Sequence, residues 1–281
     1  MCLKVVKSFA LIIVSMEQFF ISLCLFVLGA AFGSFACCQA WRIRKGDKSK
    51  RSHCMNCKYQ LKWYDNVPIV SWLMLGGKCR KCHKKIGCAE LLAELGLAVI
   101  CVLCFWLWPA REALLLPSMI EWVKFTIFLI ILVVLTILFI YDAKWGELPV
   151  ALLITAIFMA VAFWIVSVWE SYQAYGNYNW LSFVLALLFL PALYFLLYKV
   201  SNERWVGGGD WILCIPLALM LGNMWASMFC LFLSNVIGSI VMLPVMIRKK
   251  KKMMIPFGPF LIVGFLVTFF ANELICSIIG L

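Results

Sequence analysis

Eight apolar runs, each close to the ~20 residues that a helix needs to cross a ~30 Å hydrocarbon core, leave this chain few ways to fold. They fall roughly at residues 18–40, 91–108, 122–141, 150–169, 180–198, 211–225, 227–247 and 255–275. Backbone polar groups inside lipid must find partners within their own segment, so each run reads as a helix. Hydrophobic residues make up 65% of the 281 and charged residues 14%, with a mean hydropathy of +1.00. A soluble domain cannot hide that much apolar surface. The expected fold is all-α: a polytopic membrane protein of about eight transmembrane helices. The sixth run is short, and Gly222-Asn223 marks a tight turn into the seventh.

The formal net charge is +12. Thirteen Lys and Arg lie within 41–90, and Lys144, Lys199, Arg204, Arg248 and Lys249 to Lys252 follow the third, fifth and seventh runs. In an eight-span arrangement these four regions share one side and hold 21 of the 25 positive charges. The positive-inside rule makes that side cytoplasmic. Topology thus explains the basic balance, and no basic helix or aromatic-basic module points to nucleic acid. Lys249 to Lys252 read as an orientation anchor that can also meet anionic membrane lipid. Residues 1–15 read as an extension ahead of the first span, with Met16 as an alternative start; Lys4 and Lys7 would otherwise sit on the wrong side. The expected division is 1–40 (extension and first span), 41–90 (a small cytoplasmic domain) and 91–281 (a seven-helix membrane domain).

The segment 41–90 is too short to hold itself together by a hydrophobic core alone, so a staple is expected. Cys54-x2-Cys57 and Cys79-x2-Cys82, with 21 residues between the pairs, supply one. Two such knuckles offer four thiolates to a structural Zn²⁺, and four sulfurs leave no open position for chemistry. Disulfides are the weaker reading in a reducing cytoplasm. His53 and His83 flank the knuckles as bystanders. Cys101-x2-Cys104 lies inside an apolar run, where cysteine acts as a small hydrophobe.

Acids near lipid are costly and therefore informative. Asp142 ends the third run, and Asp210 opens the sixth after Gly207-Gly208-Gly209. Both belong to the same side, at the ends of different helices, and can converge. Two carboxyls sharing a proton divide the work: one activates a water and the other, neutral, polarises a carbonyl. The glycines allow close approach of backbone or substrate to Asp210. The alternative is that both are helix-end residues. Asp210 would then be an ordinary N-terminal cap, while Asp142 at a C-terminus opposes the dipole and needs a partner, for which Lys144 is one candidate. Both histidines flank the tetrad, so Ser-His-Asp and Cys-His arrangements lack a base in the membrane. H-E-x-x-H, Walker and G-x-G-x-x-G patterns are absent as well.

Taken together, the motifs resemble the type IV prepilin peptidase family over nearly the whole chain. The resemblance is carried by Gly33-Ser34-Phe35 with Arg42 in the first span, and by the cysteine tetrad. Asn66-x-Pro68-x2-Ser71-Trp72-Leu73 and Gly77-x-Cys79 lie between the cysteine pairs, and Glu94 enters the second span. Asp142 with Pro149, the GxGD-like Gly207-Gly208-Gly209-Asp210, and Ile255-Pro256-Phe257-Gly258-Pro259-Phe260 complete the set. The resemblance implies a bacterial inner-membrane aspartyl endopeptidase. Such an enzyme removes the basic leader of type IV prepilins and type II secretion pseudopilins at the cytoplasmic face, with Asp142 and Asp210 as the catalytic pair. It also implies N-methylation of the new N-terminus from S-adenosylmethionine, for which Glu94 is the candidate cofactor-binding residue; a structural salt bridge is Glu94's other reading. Two alternatives stand beside this. One is an N-methyltransferase without protease activity, and the other a non-enzymatic secretion-system scaffold.

Overall fold

The structure, a computed structural model, describes residues 2–47, 51–115, 118–201, 207–249 and 256–279, and side chains are not described for 2–15, 244–249, 273–274 and 276–279. Lys48, Lys50, Arg204, Lys250 to Lys252 and Ile255 lie outside the described residues. Among the described residues there are helices and two isolated β-bridges, but no strand. Six helices are long and apolar enough to cross a membrane, and two apolar helices are shorter. Each of the eight expected runs coincides with one of them.

The chain forms two compact units, Met1–Trp108 and Pro109–Leu281. In the first, the long helix α1 (Cys2–Lys45) packs against α3 (Cys88–Trp106). Between them run a 3₁₀ turn (Trp63–Asn66) and the short helix α2 (Val70–Met74). The sequence reading groups the second span with the later ones; here α3 sits with α1. Gly29 and Gly33 explain that contact. A Cβ on Gly33 would lie 2.5 Å from the Ala93 carbonyl oxygen and 2.7 Å from Glu94 Cα, and one on Gly29 would lie 2.7 Å from Ala98 Cα. Two glycines four apart let helix backbones touch, a device that lipid-embedded helices favour because apolar side chains gain nothing by leaving lipid. Gly96 has open space around it. Gly33→Ala is therefore expected to destabilise the first unit by about 1–3 kcal/mol through overpacking. Gly96→Ala should be neutral or stabilising by up to about 1 kcal/mol. Thermal unfolding of the detergent-solubilised pair, with equal midpoints, would count against the close-contact account.

The second unit holds α4 (Arg111–Leu115), α5 (Met119–Trp145), α6 (Val150–Tyr175), α7 (Trp180–Ser201), α8 (Gly208–Leu221), α9 (Met224–Lys249) and α10 (Gly258–Ile279). Contacts run from α5 to α6, α6 to α8, α8 to α7, α7 to α9, α9 to α10 and back to α5, with α10 also touching α8. Along α8, Leu213, Cys214, Pro216, Leu217, Ala218, Leu219, Met220 and Leu221 are all buried. At 1.5 Å per residue this helix is only about 21 Å long, short of a ~30 Å hydrocarbon core. A helix end inside the membrane is tolerable when protein rather than lipid surrounds it. The turn at Gly222-Asn223 is as expected. Gly222 takes φ +61° and Asn223 Oδ1 accepts the Trp225 N–H at 2.9 Å. Near the start of α5, buried Glu121 is paired with Lys124 at 3.3 Å, and Lys124 also binds Glu170.

Candidate active site and metal centre

Asp142 lies in the last turn of α5, one turn before the left-handed Gly146 that ends the helix. A carboxylate there faces the negative end of its own helix. The structure answers with another helix. The Gly258 N–H at the start of α10 donates to Asp142 Oδ2 at 2.9 Å. The first N–H groups of a helix have no partner within it and carry the positive end of its dipole, so α10 offsets what α5 opposes. Lys144, the partner suggested by sequence, is not what meets the carboxylate. A Cβ on residue 258 would sit 2.7 Å from Asp142 Oδ2, so only glycine leaves room for this contact. Pro259 suits the opening turn of α10, where its missing N–H costs nothing.

Asp210 sits in the first turn of α8 at the third helical position, not at the cap. Its Oδ2 accepts the Gly207 N–H at 3.0 Å. Gly208 and Gly209 fit the turn closely against neighbours. A Cβ on Gly209 would be 2.7 Å from the Leu148 side chain, and one on Gly208 would be 3.4 Å from the Tyr198 ring. Gly208 and Gly209 thus let the first turn of α8 lie tight against α7 and the α5–α6 turn.

Asp142 is 4% exposed and Asp210 is 6% exposed. Each is anchored through Oδ2 to one backbone N–H. Among the described residues nothing engages either Oδ1. Each acid is thus buried on its own helix and held by one oxygen to a backbone N–H, and a carboxyl held this way can take a proton from a bound group or give one to it. Sequence reading found both acids and missed the role of Gly258. The signal was a glycine beside a proline at a span's start, but its target lies 116 positions away.

In the first unit the four cysteines converge, with their sulfurs all within 4.8 Å of one another. Cys54 Sγ is 3.8 Å from Cys82 Sγ, and Cys57 Sγ is 3.9 Å from Cys79 Sγ. A tetrahedron with Zn–S bonds of ~2.3 Å has edges of ~3.8 Å, so the set fits Zn²⁺. These separations are far from the ~2.05 Å of a disulfide. Among the described residues, neither His53 nor His83 joins the cluster.

The two knuckles repeat one backbone design. Lys58 N–H donates to Cys54 O and His83 N–H to Cys79 O, both at 2.9 Å. Cys54 N–H donates to Tyr59 O and Cys79 N–H to Lys84 O, again at 2.9 Å. Lys58 and His83 both take positive φ, 57° and 55°. The bridges His53↔Gln60 and Lys78↔Lys85 close the two turns. No repeat shows in the sequence because only the cysteines are shared. These turns aim backbone N–H groups at sulfur. The Lys84 N–H holds the Cys82 thiol below its usual range, which favours its thiolate, while at Cys57 the lowering by the Tyr59 N–H is outweighed by desolvation and the neighbouring sulfurs, which hold that thiol up.

Between the knuckles, Arg80 Nε donates to Asp65 Oδ1 at 2.7 Å, tying the linker to the second knuckle. A Cβ on Gly77, which has φ +64°, would lie 2.7 Å from the Trp72 ring. Glu94, 8% exposed, accepts the Ile69 N–H on Oε2 at 2.7 Å. Ile69 has φ +63°, a conformation that a β-branched residue adopts only under constraint. Among the described residues, Glu94's partner is this backbone amide and not a cation. Cys101 and Cys104 are buried in α3, as expected of small apolar side chains.

Comparison with known proteins locates two matches along the chain. A family model described as the Bacterial Peptidase A24 N-terminal domain matches residues 27–108, ending where the first compact unit ends. A second, described as the Type IV leader peptidase family, matches residues 129–243. A Vibrio cholerae serotype O1 protein named prepilin leader peptidase/N-methyltransferase is 29% identical over 226 residues, covering 80% of this chain and 83% of that protein. A protein of the same name from Neisseria gonorrhoeae is 27% identical over 227 residues, 79% of this chain and 71% of that one. An Escherichia coli O78:H11 protein named type 4 prepilin-like proteins leader peptide-processing enzyme is 44% identical over 59 residues, 21% of this chain and 22% of its own length. No solved structure matches the chain.

Proposed function

The chain belongs to the type IV leader peptidase family, and from that premise we propose that it is an aspartyl endopeptidase removing the leader of type IV prepilins and related pseudopilins, with Asp142 and Asp210 as the catalytic pair. The observation that supports this reading is the presence of two buried carboxyls at the ends of different helices, each anchored by one oxygen to a backbone N–H. In the proposed reaction one carboxylate takes a proton from water as its oxygen attacks the scissile carbonyl carbon. The other carboxyl, protonated, gives its proton to the carbonyl oxygen. The tetrahedral intermediate collapses, the C–N bond breaks, and the departing nitrogen takes up a proton. The products are a leader carboxylate and a new α-amine. Gly258 and Gly207 hold the two acids in place as positioning residues. The basic side of the membrane, counted from Lys and Arg, supports a cytoplasmic active site in the inner membrane, with a metal-stapled domain at 41–90 and the peptidase within 91–281.

Cys54, Cys57, Cys79 and Cys82 would hold a structural Zn²⁺. Four thiolates fill a tetrahedral site, so the ion would supply folding energy and no catalysis. The names of the relatives support a second activity, methylation of the new α-amine, for which S-adenosylmethionine would supply the methyl group. Glu94 is the candidate on that side. Its oxygen on the Ile69 amide supports a positioning role, holding the linker between the knuckles against α3.

The test is mass spectrometry of a co-expressed prepilin, which reads leader loss and methyl gain in one spectrum. Leader loss is expected with the intact protein. Methyl gain without leader loss would favour the methyltransferase alternative, and neither change would favour the scaffold. Glu94→Gln is expected to leave leader loss within about threefold, as for a group with no transition-state contact. Lost methyl gain in that variant would link Glu94 to methyl transfer.

A further inference from the structure

The first unit contains a cavity of about 1150 Å³ between the last turns of α1 and the first cysteine knuckle. Among the described residues, Trp41, Arg42 and Lys45 line it from the helix and Arg51 and Lys58 from the knuckle side, with Asp47 as the one acid. Four cations against one carboxylate among the described lining residues give the cavity a net positive charge suited to an anion, and Asp47 faces His53 at 3.7 Å. The Lys45 ammonium lies 5.4 Å from the centre of the Trp41 ring.

Its position narrows the class of anion. The apolar part of α1 ends at Ala40, and the five residues to Lys45 rise about 7 Å, the thickness of one headgroup layer. Leu28, Phe32 and Phe35 are exposed and large. With Arg42 they recur at helical spacing, so an outward-facing apolar stripe runs along α1 to the edge of the cavity. A soluble anion would use the cations and ignore the stripe. A basic peptide leader would be repelled by the cavity. We propose that it binds the headgroup phosphate of an anionic membrane phospholipid, whose acyl chains lie along the Leu28–Phe35 stripe. A phosphate held by several Lys and Arg next to the bilayer is the recurrent form of such recognition. The site is independent of the aspartate pair and does not rest on the peptidase reading.

The experiment uses the full-length protein released from phosphatidylethanolamine vesicles doped with phosphatidylglycerol, with retained lipid counted by native mass spectrometry. The protein is expected to keep phosphatidylglycerol in preference to phosphatidylethanolamine. Each basic residue near an anionic surface is worth about fivefold, so Arg42→Gln with Lys45→Gln should weaken retention about twenty-five-fold. Lys81→Gln with Lys85→Gln, outside the cavity, should change it by less than about twofold. Bound metal reports folding of these variants, and Lys45→Arg with Lys58→Arg, which keeps the charge, should keep the lipid. Unchanged retention in the Arg42/Lys45 variant overturns the proposal. So does equal loss in the Lys81/Lys85 variant, which would mean diffuse attraction. Displacement by free inorganic phosphate at matched concentration also overturns it, since a soluble anion would then be the ligand.

Discussion

Asp142→Asn and Asp210→Asn are each expected to stop leader removal, with cleavage of a prepilin falling by about a thousandfold or more, while the protein still accumulates in the membrane. The size follows from what is removed. General acid–base catalysis contributes about 10² to 10⁴, and groups that act as a unit fail together when one is lost. The substitution is chosen so that structure survives. An Asn oxygen at 142 can still accept the Gly258 N–H, and one at 210 can still accept the Gly207 N–H. The double variant should reach the same floor as either single one, because the second loss removes nothing that still works. Purely structural acids would behave differently, with graded losses of accumulation that add and with activity preserved per folded molecule. Normal cleavage by either single variant removes the aspartyl mechanism.

Removing the metal is expected to unfold the segment between α1 and α3 and leave the helices standing. That segment is about 40 residues long, the size below which a core cannot hold a chain without a staple. Among its described residues the regular structure is one 3₁₀ turn, one short helix and two bridges. A structural zinc site supplies about 10–16 kcal/mol of apparent binding energy, more than such a segment can replace. Purified protein should carry about one zinc per chain. Cys57→Ser with Cys79→Ser, or a strong chelator, should remove it and open residues 51–87 to limited proteolysis and rapid amide exchange. Exchange in α3 should change little, because its contact with α1 is made through Gly29 and Gly33. A metal-free protein with full protection across both knuckles would show that the cysteines are not the staple.

The same division between local and long-range information runs through both sites. The tetrad was legible because each knuckle is a local object: two cysteines three apart on a turn that the chain makes by itself. The positive-φ residues Lys58 and His83 that shape the turns were not legible, since neither residue type signals that conformation. Asp210 was legible as a helix-start acid, though it stands at the third helical position and accepts the Gly207 N–H. For Asp142 the sequence posed a question, a carboxylate at the wrong end of a dipole, and offered Lys144 in answer.

Hydropathy alone determined eight helices and their order, because burying backbone in lipid leaves a chain no other regular choice. Cysteine spacing alone determined which four sulfurs come together. Only the tertiary structure decided that α10 brings its first amide to Asp142, that α3 packs on α1 through two glycines, and that Glu94 holds the backbone of Ile69. Those contacts depend on how helices remote in sequence approach each other, and glycine records such an approach by lacking a side chain. The missing atom names no partner until the partner is in place.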